Sequence, residues 1–212
     1  MEESLEHLAR DPAFKPLIKR YGRPTLKRGK TPFQALTRAI IYQQISGKAA
    51  SSIYAKFAAL YGIRISTPID WESRAAGRFP TPQQVLDTPD ETLRTAGLSA
   101  QKIRYIKDLA LRFTDGTVPH KKLHTMKNEE IIESLVRVNG IGVWTVQMFL
   151  IFTLNRLDVL PTGDLGIRKG FQSLYGLKSL PAPRTMERLA KRWRAHASVA
   201  SWYLWRVADD AK

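Results

Sequence analysis

Apolar residues recur three and four positions apart along almost the whole chain, which is the spacing of one face of an α-helix. Ile53, Phe57 and Leu60, for example, share one face of a predicted helix. No segment shows the alternation that would indicate a β-strand, and no repeat or low-complexity tract is present. The sequence therefore predicts an all-α fold. The predicted helices cover residues 4–9, 13–21, 32–44, 48–60, 83–86, 91–95, 100–113, a segment from 128, a segment from 143, 165–175, 181–194 and 198–207, with a basic loop at 22–30 and an irregular stretch at 63–81.

Polar residues next to prolines mark where several of these helices begin. Thr31 precedes Pro32, and Thr81 precedes Pro82. Each pair combines an N-cap side chain with a proline, which the first turn of a helix tolerates. Ser99 is placed to cap the long helix that starts at residue 100.

The chain is strongly basic. Its 212 residues contain 34 Lys and Arg against 19 Asp and Glu, which gives a net charge of +15 and a pI near 10.2. This length suits one compact domain or two closely packed subdomains. The charge favours a polyanionic partner, with nucleic acid first among the candidates, although ribosomal and membrane-surface proteins are also basic.

The sequence contains no cysteine, which excludes disulfides, a thiol nucleophile and a cysteine-bound iron–sulfur cluster. No cofactor is expected. The N-terminal stretch is acidic and amphipathic, unlike a signal peptide, and no apolar run reaches membrane-spanning length. We therefore expect a protein without a membrane partner that acts inside the cell, in the cytoplasm or nucleoid, or in the nucleus of a eukaryote. We also expect a monomer.

Residues 138–142, Val-Asn-Gly-Ile-Gly, place two glycines around one apolar residue between two predicted helices. This pattern predicts a tight hairpin, because glycine adopts positive φ without penalty and lets a backbone N–H face outward. Amides where the next helix opens, at Val143, can bind an anion such as a phosphate. After that helix the chain breaks at residues 161–163 and presents Asp164 at the start of another helix.

The hairpin V-x-G-I-G-x-W-T, followed by an Asp after one helix and a proline break, resembles the helix-hairpin-helix (HhH-GPD) DNA glycosylase superfamily. Within it the sequence is most similar to the 3-methyladenine DNA glycosylase II group. The likeness also rests on residues 39–46, 97–105, 158–161 and 201–206. It implies two helical subdomains with the active site in a cleft between them, a central one over residues 31–142 and a second one that combines 1–30 with 143–212.

The resemblance implies a monofunctional glycosylase of base excision repair. Its substrates would be alkylated bases in double-stranded DNA, such as 3-methyladenine and 7-methylguanine, removed after base flipping. Asp164 is the candidate catalytic residue, because a carboxylate stabilises the positive charge that develops on the sugar. A cationic methylated base leaves without prior protonation, so no second acid is required. Viewed in isolation, however, Asp164 could be only an N-cap.

Three tryptophans are candidates for lining and stacking in the base pocket. Trp144 occupies the hairpin position at which lyase-active relatives carry a Schiff-base lysine, which implies base release without strand cleavage. Its ring could also attract a cationic base. Trp205 aligns with a stacking tryptophan of the family, and Trp202 is the alternative. Each could instead be a core residue that pins the hairpin or the last helix.

The segment Q-Q-I-S at residues 43–46 follows a predicted helix where relatives place a side chain that fills the hole left by a flipped base. Gln44 aligns with that wedge. Gln43 and Ile45 are neighbours that could serve instead. Without the other motifs, the two glutamines would read as ordinary polar residues at a helix end.

Phosphate contacts are expected from the backbone N–H groups of Gly140, Gly142 and Val143, with support from Thr145. The family often holds a monovalent cation with hairpin carbonyls, here those of Val136, Val138 and Ile141. No catalytic metal is predicted.

Two other functions remain open at this stage. One is a non-enzymatic binder of damaged or kinked DNA, and the other is a lyase-active glycosylase for oxidised bases. The chain also departs from the family pattern W-x-P-x-R, since Ala195 and Ala197 stand at the proline and arginine positions. This change removes one potential phosphate contact.

Overall fold

The computed structural model describes residues 1–24, 31–65 and 79–210. Within these ranges the regular structure is helical and contains no strand, which confirms the predicted all-α fold. Most of the predicted basic loop at 22–30 and of the irregular stretch at 63–81 lies outside the described residues.

The helices of the described part follow one another in this order: α1 Glu2–Ala9, α2 Lys15–Tyr21, α3 Pro32–Tyr42, α4 Gly47–Ala59, α5 Pro82–Asp87, α6 Asp90–Thr95, α7 Ala100–Thr114, α8 Asn128–Leu135, α9 Val143–Phe152, α10 Leu165–Leu174, α11 Pro183–Ala190 and α12 Ala197–Asp210.

The capping signals in the sequence do form caps. The Thr31 hydroxyl accepts a hydrogen bond from the Gln34 N–H at 3.3 Å, and the Ser99 hydroxyl accepts one from the Lys102 N–H at 3.2 Å. Ser46 caps α4 in the same way, which starts that helix one residue earlier than its apolar pattern indicated. Each cap satisfies a backbone donor that the first helical turn leaves without a partner.

The chain divides into two compact units. The first combines Met1–Leu26 with Leu150–Lys212, and its core is built from α1, α2, α10, α11 and α12. Helices α10 and α12 approach closely at Gly170, where an added Cβ would lie 2.3 Å from the Leu204 carbonyl oxygen. Because Gly170 has no side chain, the backbones of the two helices can approach this closely. Asp164 is the N-cap of α10, and Trp205 lies on α12.

The prediction of one helix over residues 181–194 is wrong at its C-terminal end. Helix α11 ends at Ala190 and is followed by a 3₁₀ segment, Lys191–His196, in which Trp193 leaves helical conformation at φ −127° and ψ 21°. The Trp193 side chain is buried and packs against the rings of Phe14 and Phe171. Burial of a large indole in this core stabilises the break, even though the proline typical of the family is absent.

The second unit comprises Lys27–Phe149. In its described part, α3 packs against α4 and α7, with the Phe33 and Phe113 rings 5.5 Å apart between centroids. Helix α7 is amphipathic, and its buried face carries apolar side chains at helical spacing: Ile103, Ile106, Leu109, Ala110 and Phe113. Its remaining surface is available to the hairpin that joins α8 to α9.

No helix within 1–24, 31–65 and 79–210 is long and apolar enough to cross a membrane.

Candidate functional site

A hairpin of residues 136–142 joins α8 to α9 and reverses the chain at a glycine with positive φ. Gly140 has φ +80°, and a Cβ added there would lie only 2.1 Å from the Tyr105 ring. Both the backbone conformation and the space exclude a side chain at this position. The sequence predicted the turn, whereas the ring that packs against it is revealed only by the structure.

Gly142 and the start of α9 face outward. A Cβ added at Gly142 would meet nothing within 4 Å, and the residues that follow, Val143 and Trp144, are 50% and 51% exposed. The first N–H groups of a helix have no acceptor within the helix and carry its partial positive charge. This end of α9 is therefore suited to an anion. Thr145 is 8% exposed, so its side chain is less accessible than the three residues before it.

Side chains of helix α7 pack against the hairpin and hydrogen-bond to it. The Tyr105 ring packs against Gly140, and its hydroxyl interacts with the Gln101 amide at 2.7 Å. The Asp108 carboxylate accepts a hydrogen bond from the Asn139 N–H at 2.7 Å, while Arg112 donates to its other oxygen at 3.0 Å. The turn is therefore held by Tyr105 and Asp108, which lie about one helical turn apart on α7, while Arg112, one further turn along, holds the Asp108 carboxylate.

The three wedge candidates follow the end of α3 and differ in their surroundings. Gln44 is exposed and has φ +57°, a left-handed conformation that is uncommon for a residue other than glycine. Ile45 is 38% exposed. Gln43 instead donates its side-chain N–H to the Gly140 carbonyl oxygen at 2.8 Å. The structure thus directs Gln43 to the hairpin and leaves Gln44 and Ile45 at the surface.

Lys102 of α7 holds this same turn, a contact for which the sequence gave no signal. Its ammonium donates to the carbonyl oxygens of Ile41 at 2.6 Å and Gln43 at 3.0 Å. Burial lowers the pKa of Lys102 below the usual value for lysine. The two hydrogen bonds offset part of the cost of removing the charge from water.

In the first unit, Asp164 is the N-cap of α10. One oxygen of its carboxylate, Oδ1, accepts hydrogen bonds from the Ile167 N–H at 2.8 Å and from the Trp205 indole N–H at 2.9 Å. The residue is partly exposed. The N-cap role considered from the sequence is therefore real, and it coexists with a side-chain contact that a cap does not need. These bonds and the helix N-terminus stabilise a negative charge at a fixed position.

Trp205 lies against this carboxylate in a constrained position. Its ring stacks on Phe152 with centroids 5.7 Å apart, and an atom added as Cβ to Gly166 would lie 2.9 Å from its ring. Trp202 has different neighbours, since it meets Tyr203 edge-on at 5.1 Å and lies beneath the Arg206 guanidinium at 4.8 Å. Of these two tryptophans, Trp205 is the one that donates a hydrogen bond to Asp164.

The carbonyls proposed for a monovalent cation belong to the hairpin. The Val138 carbonyl oxygen accepts a hydrogen bond from the Ile141 N–H at 3.1 Å. A carbonyl oxygen has two lone pairs, so this bond leaves it able to contact a cation as well. The described residues contain no group of three or more His, Asp or Glu side chains that could hold a metal ion.

The comparison with known proteins identifies the family. Residues 37–195 match the HhH-GPD superfamily of base excision DNA repair proteins. The chain is also 35% identical over 205 residues to DNA-3-methyladenine glycosylase 1 of Schizosaccharomyces pombe, an alignment that covers 95% of the chain and 84% of that protein. The chain belongs to the HhH-GPD superfamily. The resemblance drawn from the hairpin and the Asp after it is thereby confirmed.

Solved structures of HhH-GPD proteins share the fold. The S. pombe 3-methyladenine DNA glycosylase in complex with abasic DNA is 36% identical with a TM-score of 0.76, over 96% of this chain and 95% of that one. A DNA-3-methyladenine glycosidase from Bacillus halodurans is 34% identical with a TM-score of 0.81, over 95% and 87% of the two chains. The structural similarity therefore extends over nearly the whole length of this chain.

Proposed function

We propose that the protein is a monofunctional DNA glycosylase of base excision repair. It hydrolyses the N-glycosidic bond of alkylated bases, 3-methyladenine and 7-methylguanine, in double-stranded DNA. The observation that carries this proposal is the Asp164 carboxylate, which is partly exposed at the N-terminus of α10 and fixed by the Ile167 and Trp205 N–H groups. Relatives named for 3-methyladenine support the choice of substrate.

The Asp164 carboxylate stabilises the positive charge that develops on the sugar during cleavage of the N-glycosidic bond. As the base departs, positive charge moves from the base to the sugar, which becomes an oxocarbenium-like cation, and a preorganised carboxylate stabilises this cation more than the uncharged sugar of the ground state. The same carboxylate can orient the attacking water. Since 3-methyladenine and 7-methylguanine are cationic before they leave, the reaction needs no partner acid to protonate them.

The hairpin binds the DNA backbone. Backbone N–H groups of Gly140, Gly142 and Val143 bind a phosphate of the damaged strand, because the start of α9 is open and electropositive. The net charge of +15 adds long-range attraction to the polyanion. A monovalent cation at the Val136, Val138 and Ile141 carbonyls would stabilise the turn.

Aromatic residues receive the base. Trp144 is half exposed, and its electron-rich ring provides a face for a cationic base, worth about 0.5 to 2 kcal/mol of cation–π attraction. It carries no amine, so the hairpin provides no Schiff-base nucleophile at this position. Base release consequently leaves the sugar–phosphate backbone intact.

Product analysis on methylated DNA tests this proposal. The protein is incubated with DNA treated with a methylating agent, released bases are separated by chromatography, and the strand is inspected with and without alkali. We expect free 3-methyladenine and 7-methylguanine, strand breaks only after alkali, and no adduct trapped by borohydride. Tight, salt-dependent binding without release of any base would contradict the proposal in favour of a non-enzymatic binder. A trapped covalent adduct would instead indicate a lyase.

A further inference from the structure

The turn that carries Gln44 requires an external support. Helix α3 ends at Tyr42, and the last carbonyls of a helix lack partners within it. Directly after it, Gln44 has φ +57°, a left-handed conformation that the Cβ of a residue other than glycine makes unfavourable. A turn of this kind persists only where its surroundings hold it.

Two side-chain contacts provide that support. The Lys102 ammonium bonds the Ile41 and Gln43 carbonyl oxygens, at 2.6 Å and 3.0 Å, and so ties the end of α3 to the peptide that precedes Gln44. The side chain of Gln43 reaches the other way, to the Gly140 carbonyl oxygen at 2.8 Å. The backbone on the N-terminal side of Gln44 is thereby fixed.

Helix α7 connects this turn to the hairpin. Lys102 of this helix holds the turn. Two other side chains of the same helix contact the hairpin, since the Tyr105 ring packs against Gly140 and the Asp108 carboxylate accepts a hydrogen bond from the Asn139 N–H. The turn with Gln44 and the hairpin at Gly140 are therefore mounted on one rigid element. An ammonium engaged with two carbonyls and partly buried is poorly placed to contact a phosphate as well.

We propose that Lys102 is a positioning residue for base flipping, which holds Gln44 in the orientation that fills the space left by the extruded nucleotide. This inference rests on the proposed glycosylase function. Lys102 acts through the turn and not on the reacting atoms. Its contribution is needed where the base must be taken out of a stacked pair, and is small where no partner base has to be separated.

The test compares one lesion in two contexts. Single-turnover rates of 7-methylguanine release are measured on a duplex and on the same oligonucleotide as a single strand, and their ratio is reported for each variant. Lys102→Met removes the donor and retains the apolar stem, Lys102→Arg restores a charged donor, and Arg104→Met removes one exposed positive charge from the same helix as a control. Lys102→Gln is measured in addition, so that the ratio is available if Lys102→Met does not fold.

We expect Lys102→Met and Lys102→Gln to lower the duplex-to-single-strand ratio about tenfold, because a hydrogen bond to a charged group is lost where flipping is required. Lys102→Arg should recover most of the ratio, and Arg104→Met should leave it unchanged. Adding Lys102→Met to Gln44→Ala should slow the duplex reaction no further than Gln44→Ala alone. An unchanged ratio in the Lys102 variants, or independent effects of the two substitutions that multiply, would overturn the inference. Absence of base release by the wild-type protein in both contexts would instead overturn the proposed function.

Discussion

The indole N–H of Trp205 donates a hydrogen bond to Oδ1 of Asp164, with 2.9 Å between the two atoms. The same oxygen accepts the Ile167 N–H at 2.8 Å, so a helix cap and an aromatic side chain fix one carboxylate together. Stacking of the Trp205 ring on Phe152 in turn restrains the indole. In this arrangement Trp205 orients the charge on which the proposed chemistry depends, in addition to any contact it makes with a base.

Trp205→Phe tests this orienting role. Phenylalanine retains an aromatic ring for Phe152 but lacks the N–H donor, so we expect kcat for base release to fall about tenfold while KM changes little. Steady-state kinetics on a methylated duplex measure both constants. Trp202→Phe is the matched control and should retain wild-type kcat, because no hydrogen bond joins Trp202 to the carboxylate in the described residues. Equal loss in both variants would show that Trp205 contributes only to packing.

The two hairpin glycines provide a second, internally controlled prediction. Gly140→Ala places a methyl group at φ +80° and against the Tyr105 ring, and should lower the free energy of unfolding by about 2 to 4 kcal/mol. Gly142→Ala meets open space and should cost less than about 1 kcal/mol of stability.

Their effects on DNA should follow a different order. A methyl group at Gly142 stands where a phosphate is expected, so Gly142→Ala should weaken binding to an abasic-site duplex about tenfold despite its small effect on stability. Urea denaturation and fluorescence anisotropy give the two quantities. If Gly142→Ala binds DNA like the wild type, the outward face of the hairpin is not the phosphate site.

The lowered pKa of His196 predicts how the free energy of unfolding depends on pH. Burial lowers the pKa of His196, and the charge of the neighbouring His7, whose ring lies 4.7 Å away between centroids, lowers it further; Glu3 opposes this shift and the N-terminal amine adds to it. The folded-state pKa lies below the unfolded value near 6.5, so the unfolded state binds the proton more readily. Stability should therefore be retained above about pH 6.5 and decline as the pH falls below it.

Urea unfolding at a series of pH values from 8 down to about 5 measures this dependence. His196→Gln should show a shallower decline than the wild type, because the titrating group is gone. An identical decline in both proteins would assign the effect to other groups.

Local signals explain which features the sequence could predict. The turn at Gly140 and the cap at Asp164 depend on residues within a few positions of each other, and the pattern of glycine, proline and apolar residues revealed both. The family resemblance then linked them to base excision.

The remaining contacts join residues that are distant in sequence. Lys102 contacts carbonyls 59 and 61 positions away, and Trp205 reaches Asp164 across 41 positions. Lys102 and Tyr105 lie within residues 97–105, a segment that the resemblance includes. Their partners depend on how α7 packs, and no pattern within that segment indicates which residues those partners are. The break at Trp193 was missed for the same reason, since the burial of its indole among distant aromatic rings opposes a continuous helix.

The charge of Asp164 is the centre of the proposed mechanism, and one isosteric change isolates it. Asn caps a helix as well as Asp does, and its side-chain oxygen can accept the same two N–H groups, so Asp164→Asn should fold and bind an abasic-site duplex like the wild type. The decisive measurement is the single-turnover rate of 7-methylguanine release from a defined duplex. We predict a decrease of at least about a hundredfold in Asp164→Asn, the size expected when a preorganised electrostatic contact is lost. A rate within about twofold of the wild type would contradict the account, since a change that small is far below any catalytic electrostatic contribution.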